Sequence, residues 1–302
     1  MLGNQPFISV IIPVRNAKLL KSTIDSLARQ TRLDLVNEIL IVGQQETQKF
    51  TALENLKYIK VDDLPTPAHN RNIGARSAVG DWLVFTDSDC IPRPNWIEQL
   101  AEAISSTELV IAGAVDVPEN MSYWGMCDHY FGFSTTAYGF ANRLSIAYAP
   151  TLNFAIKRPL FNEVGGFNES FLGAGGEDRE FCWRIIQHGV QIRYAPRAIV
   201  IHDHPRKDFH SAARHIFNYG IVTGQFRAMY ADQWSIFQRT GMKLVRIPII
   251  GELGGFVRII IRGMMRLFNG AFLKKVKYLP GILILDLSHT LGMIKALRET
   301  KI

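Results

Sequence analysis

"GDWLVFTDSDCIPRPNWIEQLAEAI" (residues 80–104) reads as a strand, an acidic turn and a helix in direct succession. Trp82, Leu83, Val84 and Phe85 form an apolar run of strand length. Pro94 stands where helices begin, and Trp96, Ile97, Leu100 and Ala103 follow at helical spacing. At the joint lie Asp87 and Asp89, separated by one residue. A turn cap needs one carboxylate. Two so close repel each other, and the arrangement is favourable only when a cation or a donor-rich ligand comes between them. A strand leading through an acidic joint into a helix points to an α/β protein that binds its ligand beyond the C-terminal ends of its strands.

The flanking sequence repeats the alternation. "FISVIIPV" (7–14), "NEILIV" (37–42), "LKYIKV" (56–61) and "ELVIAGAV" (108–115) read as strands, and "AKLLKSTIDSLARQ" (17–30) and "PAHNRNIGARSAVG" (67–80) as helices. Short connections between them predict a largely parallel sheet flanked by helices. Residues 116–150 are aromatic-rich and irregular, which predicts loops and short helices. "APTLNFAIKRPLFNEVGGF" (149–167) returns to a strand and a helix. "GEDREFCWRIIQHG" (176–189) is a helix with a glycine stop, "VQIRYAP" and "RAIVIHDHP" are short strands, and "DFHSAARHIFNYGIVTGQFRAMY" (208–230) is a longer helix.

The chain's 302 residues, 47% of them hydrophobic, suffice for a large core. Three cysteines without metal-ligand spacing read as free thiols in a reducing compartment. The opening "MLGNQPFISVIIPV" has no basic n-region or small-residue cleavage site and reads as a first strand. The net charge of +7 is uneven: residues 239–302 hold twelve lysines and arginines against three acids, a net +9, which leaves −2 for the rest. This argues against nucleic-acid binding and for contact between the tail and an anionic surface. "LVRIPIIGELGGFVRIIIRGMMRLF" and "YLPGILILDLSHTLGMIKAL" lack the ~20 uninterrupted apolar residues of a span. They suit helices lying in the membrane interface. Packing on the main domain, or a homodimer contact, is the alternative.

Four ordered blocks, "SVIIPVRN" (9–16), "RNIGARSAVGDWLVFTDSD" (71–89), "GGEDREFCWRIIQHG" (175–189) and "VIHDHP" (200–205), together resemble glycosyltransferase family 2 from about Phe7 to Tyr230. The resemblance implies a GT-A fold: a Rossmann-like, mostly parallel sheet flanked by helices over residues 1–235, followed here by a basic, apolar helical tail at 236–302. It implies an inverting transferase that moves a sugar from a nucleoside diphosphate to a hydroxyl acceptor. Pro13, Val14, Arg15 and Asn16 would hold the nucleoside. Asn72 and Gly74, expected to open a helix, and Arg71, which precedes them, would face the diphosphate. Asp87 and Ser88 would contact the donor. Asp89, with Asp87 and His202, which the resemblance favours over the nearby His204, would hold Mg²⁺ or Mn²⁺. Asp178 would be the general base, and Glu177 would orient the acceptor or its loop, although acids in a helix's first turn are favoured by the dipole in any case.

One departure stands out. Where the family usually carries an aspartate that reads uracil, this chain has "VGQQET", so Gln44 or Gln45 is left to read the base. A UDP-sugar is favoured over GDP or dTDP donors. The basic tail points to a glycan or lipid-linked acceptor and to a cytoplasmic protein peripheral at the inner face of the cell membrane. Among other readings, a processive synthase would carry Q-x-x-R-W, a haloacid-dehalogenase phosphatase would place its acids after the first strand, and a nicotinamide enzyme would show G-x-G-x-x-G there. None of these is present. The alternative from another class is a catalytically silent, membrane-associated nucleotide-sugar-binding scaffold.

Overall fold

The computed structural model describes residues 6–14, 20–44, 53–61, 66–104, 107–139, 144–171, 175–233, 242, 254–257, 259–261 and 275–300. The chain forms two compact units. The first comprises Met1–Pro118 and Thr135–Asp203, the second Glu119–Ser134 and His204–Ile302.

Among the described residues, the first unit is built on one sheet of nine strands. These are β1 (Ile8–Val14), β2 (Val36–Gly43), β3 (Leu56–Lys60), β4 (Trp82–Phe85), β5 (Cys90–Pro92), β6 (Val110–Asp116), β7 (Ser145–Ile146), β8 (Phe154–Lys157) and β9 (Ile192–His202). Their order is β3-β2-β1-β4-β8-β6-β9-β5, with β7 on β9. The β3-β2-β1-β4 half is parallel throughout, as expected from the strand–helix alternation. Beyond β4 the sheet is mixed, because β8 enters antiparallel between β4 and β6. The two short strands read in 190–205 are one strand, β9. Its register on β6 jumps from Ala195 to Ile199 and leaves Pro196, Arg197 and Ala198 outside the ladder.

The helices of this unit are α1 (Leu20–Leu27), α2 (Pro67–Ser77) and α3 (Trp96–Ala103), followed after α4 (Tyr123–Gly132) of the second unit by α5 (Arg158–Val164) and α6 (Gly176–Gln187). β1 is buried at every position, the pattern of a strand covered on both faces. Phe85 of β4 lies opposite Phe154 of β8. Phe85, Phe161, Phe167 and Phe181 make tilted and edge-on ring contacts, with Phe167 and Phe181 centroids 4.4 Å apart. This aromatic cluster fixes α5 and α6 against the sheet, and α6 carries the Glu177–Asp178 pair.

The second unit gathers α4 (Tyr123–Gly132), α7 (Phe209–Met229) and α8 (Leu279–Glu299). α4 is the ordered part of the aromatic segment. Ser122 caps it by accepting from Gly125 N, and Asp208 caps α7 in a reciprocal capping box with Ser211. α7 and α8 touch through backbone: a Cβ on Gly220 would lie 2.1 Å from the His289 oxygen, and one on Gly292 would lie 2.0 Å from the Phe217 oxygen. By length and composition α8 with its lead-in, Val276–Glu299, is long and apolar enough to cross a membrane, yet 56% of its apolar window is buried inside the protein.

Candidate active site

Arg71, Asp87, Ser88, Asp89, Glu177, Asp178 and His202 all belong to the first unit. β4 ends at Phe85 and delivers Asp87, Ser88 and Asp89 beyond its C-terminal edge. The chain then turns at once into β5, which pairs antiparallel with the end of β9 so that Cys90 faces His202 across the ladder. His202 Nε2 thereby lies 3.3 Å from Asp89 Oδ2. Ligand atoms of Asp89, Cys90 and His202 all fall within 4.8 Å of one another. Burial and the charges of Asp89 and Asp87 push the Cys90 thiol well above its ordinary value. The Asp89 carboxylate and the His202 imidazole suit a divalent ion completed by phosphate oxygens and water.

Asp87 does not enter that group. Its Oδ1 accepts from Arg71 Nη2 at 2.8 Å. Arg71 Nη1 also donates to Glu177 Oε1 at 3.0 Å and stands 3.6 Å from Asp178 Oδ1. The guanidinium is 3% exposed and engaged by three carboxylates. Desolvation alone would weaken its charge; the surrounding acids more than restore it and raise its pKa far above the usual value. Burial and the charge of Asp178 push Glu177 up to about 7, against the pull of Arg71.

α2 begins at Pro67, capped by Thr66, which accepts from His69 N at 3.2 Å. The expectation that Asn72 and Gly74 open a helix toward a diphosphate is thus corrected: Arg71, Asn72 and Gly74 lie within α2, past its first turn. Their side chains and close contacts face protein. Asn72 Nδ2 donates to Phe167 O and to Glu169 Oε1, and its Oδ1 accepts from Phe167 N. Gly74 has no room for a Cβ, which would meet Ile11 Cγ2 at 2.5 Å and Val42 Cγ2 at 3.2 Å. The R-N-x-G block ties α2 to the sheet, to the 167–169 turn and to both acidic pairs.

α6 presents Glu177 and Asp178 in its first turn. Glu177 is 1% exposed, and its second oxygen accepts from Gly175 N at 2.7 Å, so both of its oxygens are held by protein groups. Asp178 is held by a residue that sequence reading missed. Thr151 lies in the single 3₁₀ turn Thr151–Asn153. Its hydroxyl donates to Asp178 Oδ1 at 2.5 Å, and its backbone N–H donates to Oδ2 at 3.3 Å. No motif marks Thr151; the only signal was its place just before the "NFAIK" strand.

Pro13 and Val14 are buried within β1, at its end, and Gln44 is exposed just past β2. Ser88 accepts from Thr23 Oγ1 through its carbonyl at 3.1 Å. Arg15, Asn16 and Gln45 lie outside the described residues. Trp96 is fully buried and donates through its ring N–H to Asn153 Oδ1 at 2.8 Å.

The profile of glycosyl transferase family 2 matches residues 9–165, and that of the N-terminal domain of galactosyltransferase matches 132–208. Glycosyltransferase AglE of Haloferax volcanii is 26% identical over 245 residues, 78% of this chain and 78% of its own. A pre-mycofactocin glycosyltransferase of Mycobacterium tuberculosis is 27% identical over 203 residues, 65% of this chain, and this chain spans only 43% of that relative. Among solved structures, the mannosyltransferase PcManGT of Pyrobaculum calidifontis in complex with GDP-Man and Mn²⁺ aligns over 94% of this chain and 86% of its own, with a TM-score of 0.54 at 14% identity. GalNAc-T7 with UDP, GalNAc and Mn²⁺ aligns over 76% of this chain and 51% of its own, also with a TM-score of 0.54, at 18% identity. At such identities the likeness is one of fold.

Proposed function

The chain belongs to glycosyltransferase family 2, and from that premise we propose that it transfers a sugar from a nucleoside diphosphate to a hydroxyl acceptor with inversion at the anomeric carbon. One observation carries this reading. The D-x-D pair after β4 and the E-D pair opening α6, far apart in sequence, meet at a single buried guanidinium. This meeting supports a reading in which a donor site lies beside a carboxylate base.

Asp178 is the general base in this scheme. Its carboxylate takes the acceptor hydroxyl proton as that oxygen bonds to the anomeric carbon, while the bond to the diphosphate oxygen breaks and the nucleoside diphosphate leaves. A single displacement inverts the centre, so no second carboxylate nucleophile is needed. Thr151 aims Asp178, and Glu177 holds Gly175 and Arg71 rather than the acceptor. Asp89 and His202 would hold the divalent cation, Mn²⁺ or Mg²⁺, with Asp87 and Ser88 beside the donor. Bound there, such a cation neutralises charge on the departing diphosphate. The PcManGT and GalNAc-T7 structures contain Mn²⁺ with GDP-Man and with UDP respectively, which supports both the cation and the donor class. A UDP-sugar is the donor we favour, and a lipid-linked glycan the acceptor.

Calorimetric titration with UDP, GDP, CDP and dTDP, each in Mn²⁺ and in EDTA, tests the donor site. Metal-dependent binding of one nucleotide is expected, and binding of none would end the proposal. Asp178→Asn is expected to lower transfer by about 10²–10⁴-fold with donor affinity nearly unchanged. A large loss of donor affinity would mean that the base is another residue.

A further inference from the structure

Helix α8 is apolar on both sides. Its buried side sets Asp286, His289 and Thr290, all under 5% exposed, among Ile282, Leu285, Met293, Ile294 and Leu297. They are turned toward protein: His289 Nε2 lies 3.2 Å from Thr223 Oγ1 on α7, and Thr290 Oγ1 donates to Asp286 O at 2.8 Å. The opposite side presents Ile284, Leu287 and Leu291, 44–47% exposed and aligned over successive turns. A surface helix in water carries polar groups on its outer side, and the middle of this one carries aliphatic groups there. Ionisable groups facing the helix bundle and aliphatic groups facing away from it are what hydrocarbon surroundings demand. The glycine-mediated contact between α7 and α8 fits the same setting, because close backbone packing needs no water to drive it.

The ends of the stripe name its partner. Lys277 precedes it, and Lys295 and Arg298 follow it on the same exposed side. Glu299 is exposed at the same end, yet the basic groups outnumber it three to one, so a symmetric pairing of two such stripes would bring net positive ends together and a second copy of the chain is a poor occupant. A lipid surface is a good one, because aliphatic side chains enter its apolar layer while basic ends meet anionic headgroups. We infer that the outer face of α8, through Ile284, Leu287 and Leu291, is a membrane-interface contact that prefers anionic lipid.

The inference does not depend on the catalytic assignment. Its test is flotation of the full chain with vesicles of phosphatidylcholine alone or mixed with phosphatidylglycerol. Binding is expected to the mixed vesicles and to weaken as salt rises. The triple variant Ile284→Gln, Leu287→Gln, Leu291→Gln is expected to lower vesicle partitioning by more than about tenfold. Its circular dichroism and unfolding midpoint are expected to match the parent, because all three side chains are exposed. Leu287→Cys carrying an environment-sensitive fluorophore is expected to shift to the blue on adding the mixed vesicles. Wild-type chain that stays with the aqueous fraction, or a triple variant that floats as the parent does, would overturn the inference. So would a parent that sediments as a dimer while the triple variant sediments as a monomer, since a second copy would then be what covers the stripe.

Discussion

Thr151 and Arg71 carry the site's preorganisation at the residue scale. Thr151 binds both oxygens of Asp178, one with its hydroxyl and one with its backbone. Thr151→Val keeps the shape and the N–H but loses the hydroxyl. It is expected to lower kcat by about tenfold to a hundredfold with KM for the donor nearly unchanged, and Thr151→Ser is expected to restore most of the rate. Steady-state kinetics on the two variants would read this split. Arg71 is the common cation of three carboxylates, two of them buried with it. Arg71→Leu leaves those acids without a partner and is expected to cost about 3–5 kcal/mol in chemical denaturation. From sequence, an arginine beside a helix start read as a phosphate ligand. Its burial is set by residues more than a hundred positions away, which no local pattern encodes.

At the scale of elements, the parallel half was legible because β1, β2 and β4 are apolar runs separated by helical periods. The other half was less so. β5 is three residues long and ends in a proline, too short for any alternation to show. β8 takes its place between β4 and β6 by long-range pairing alone. The acidic pairs were visible as residues, but what brings His202 to Asp89 is the β5–β9 register, a tertiary fact. In the second unit, α4 hid in an aromatic segment whose composition predicts no regular period. The α7–α8 contact is the element-scale feature most open to test. Gly220→Ala puts a methyl group against the His289 carbonyl and is expected to destabilise the protein by about 1–3 kcal/mol in a denaturant titration.

At the scale of the whole molecule, pH dependence has a clear source. Asp128 is buried, which by itself would raise its pKa. His215, Arg206 and His204 outweigh that and hold it well below the usual carboxylate range. A carboxylate depressed in the folded state contributes stability that is complete above its unfolded value of about 3.9 and is lost as pH falls below it toward the folded value. The unfolding midpoint is therefore expected to drop as pH falls below about 4. Asp128→Asn should be less stable at neutral pH, by about 2 kcal/mol, and flatter in acid. Thermal melts of the two proteins across that pH range would measure the difference.

The pairing of β5 with β9 also sets an order of events. Cys90 and His202 are 112 positions apart yet face each other in the ladder. Joining them closes a long loop, a slow and entropically costly step. On the ribosome, Asp89 emerges well before the histidine that it will meet. A nascent chain stalled before β9 would hold its parallel strands and its acidic turn but lack half of the candidate cation site. Completion of the candidate cation site during synthesis is thus timed to the last strand of the sheet.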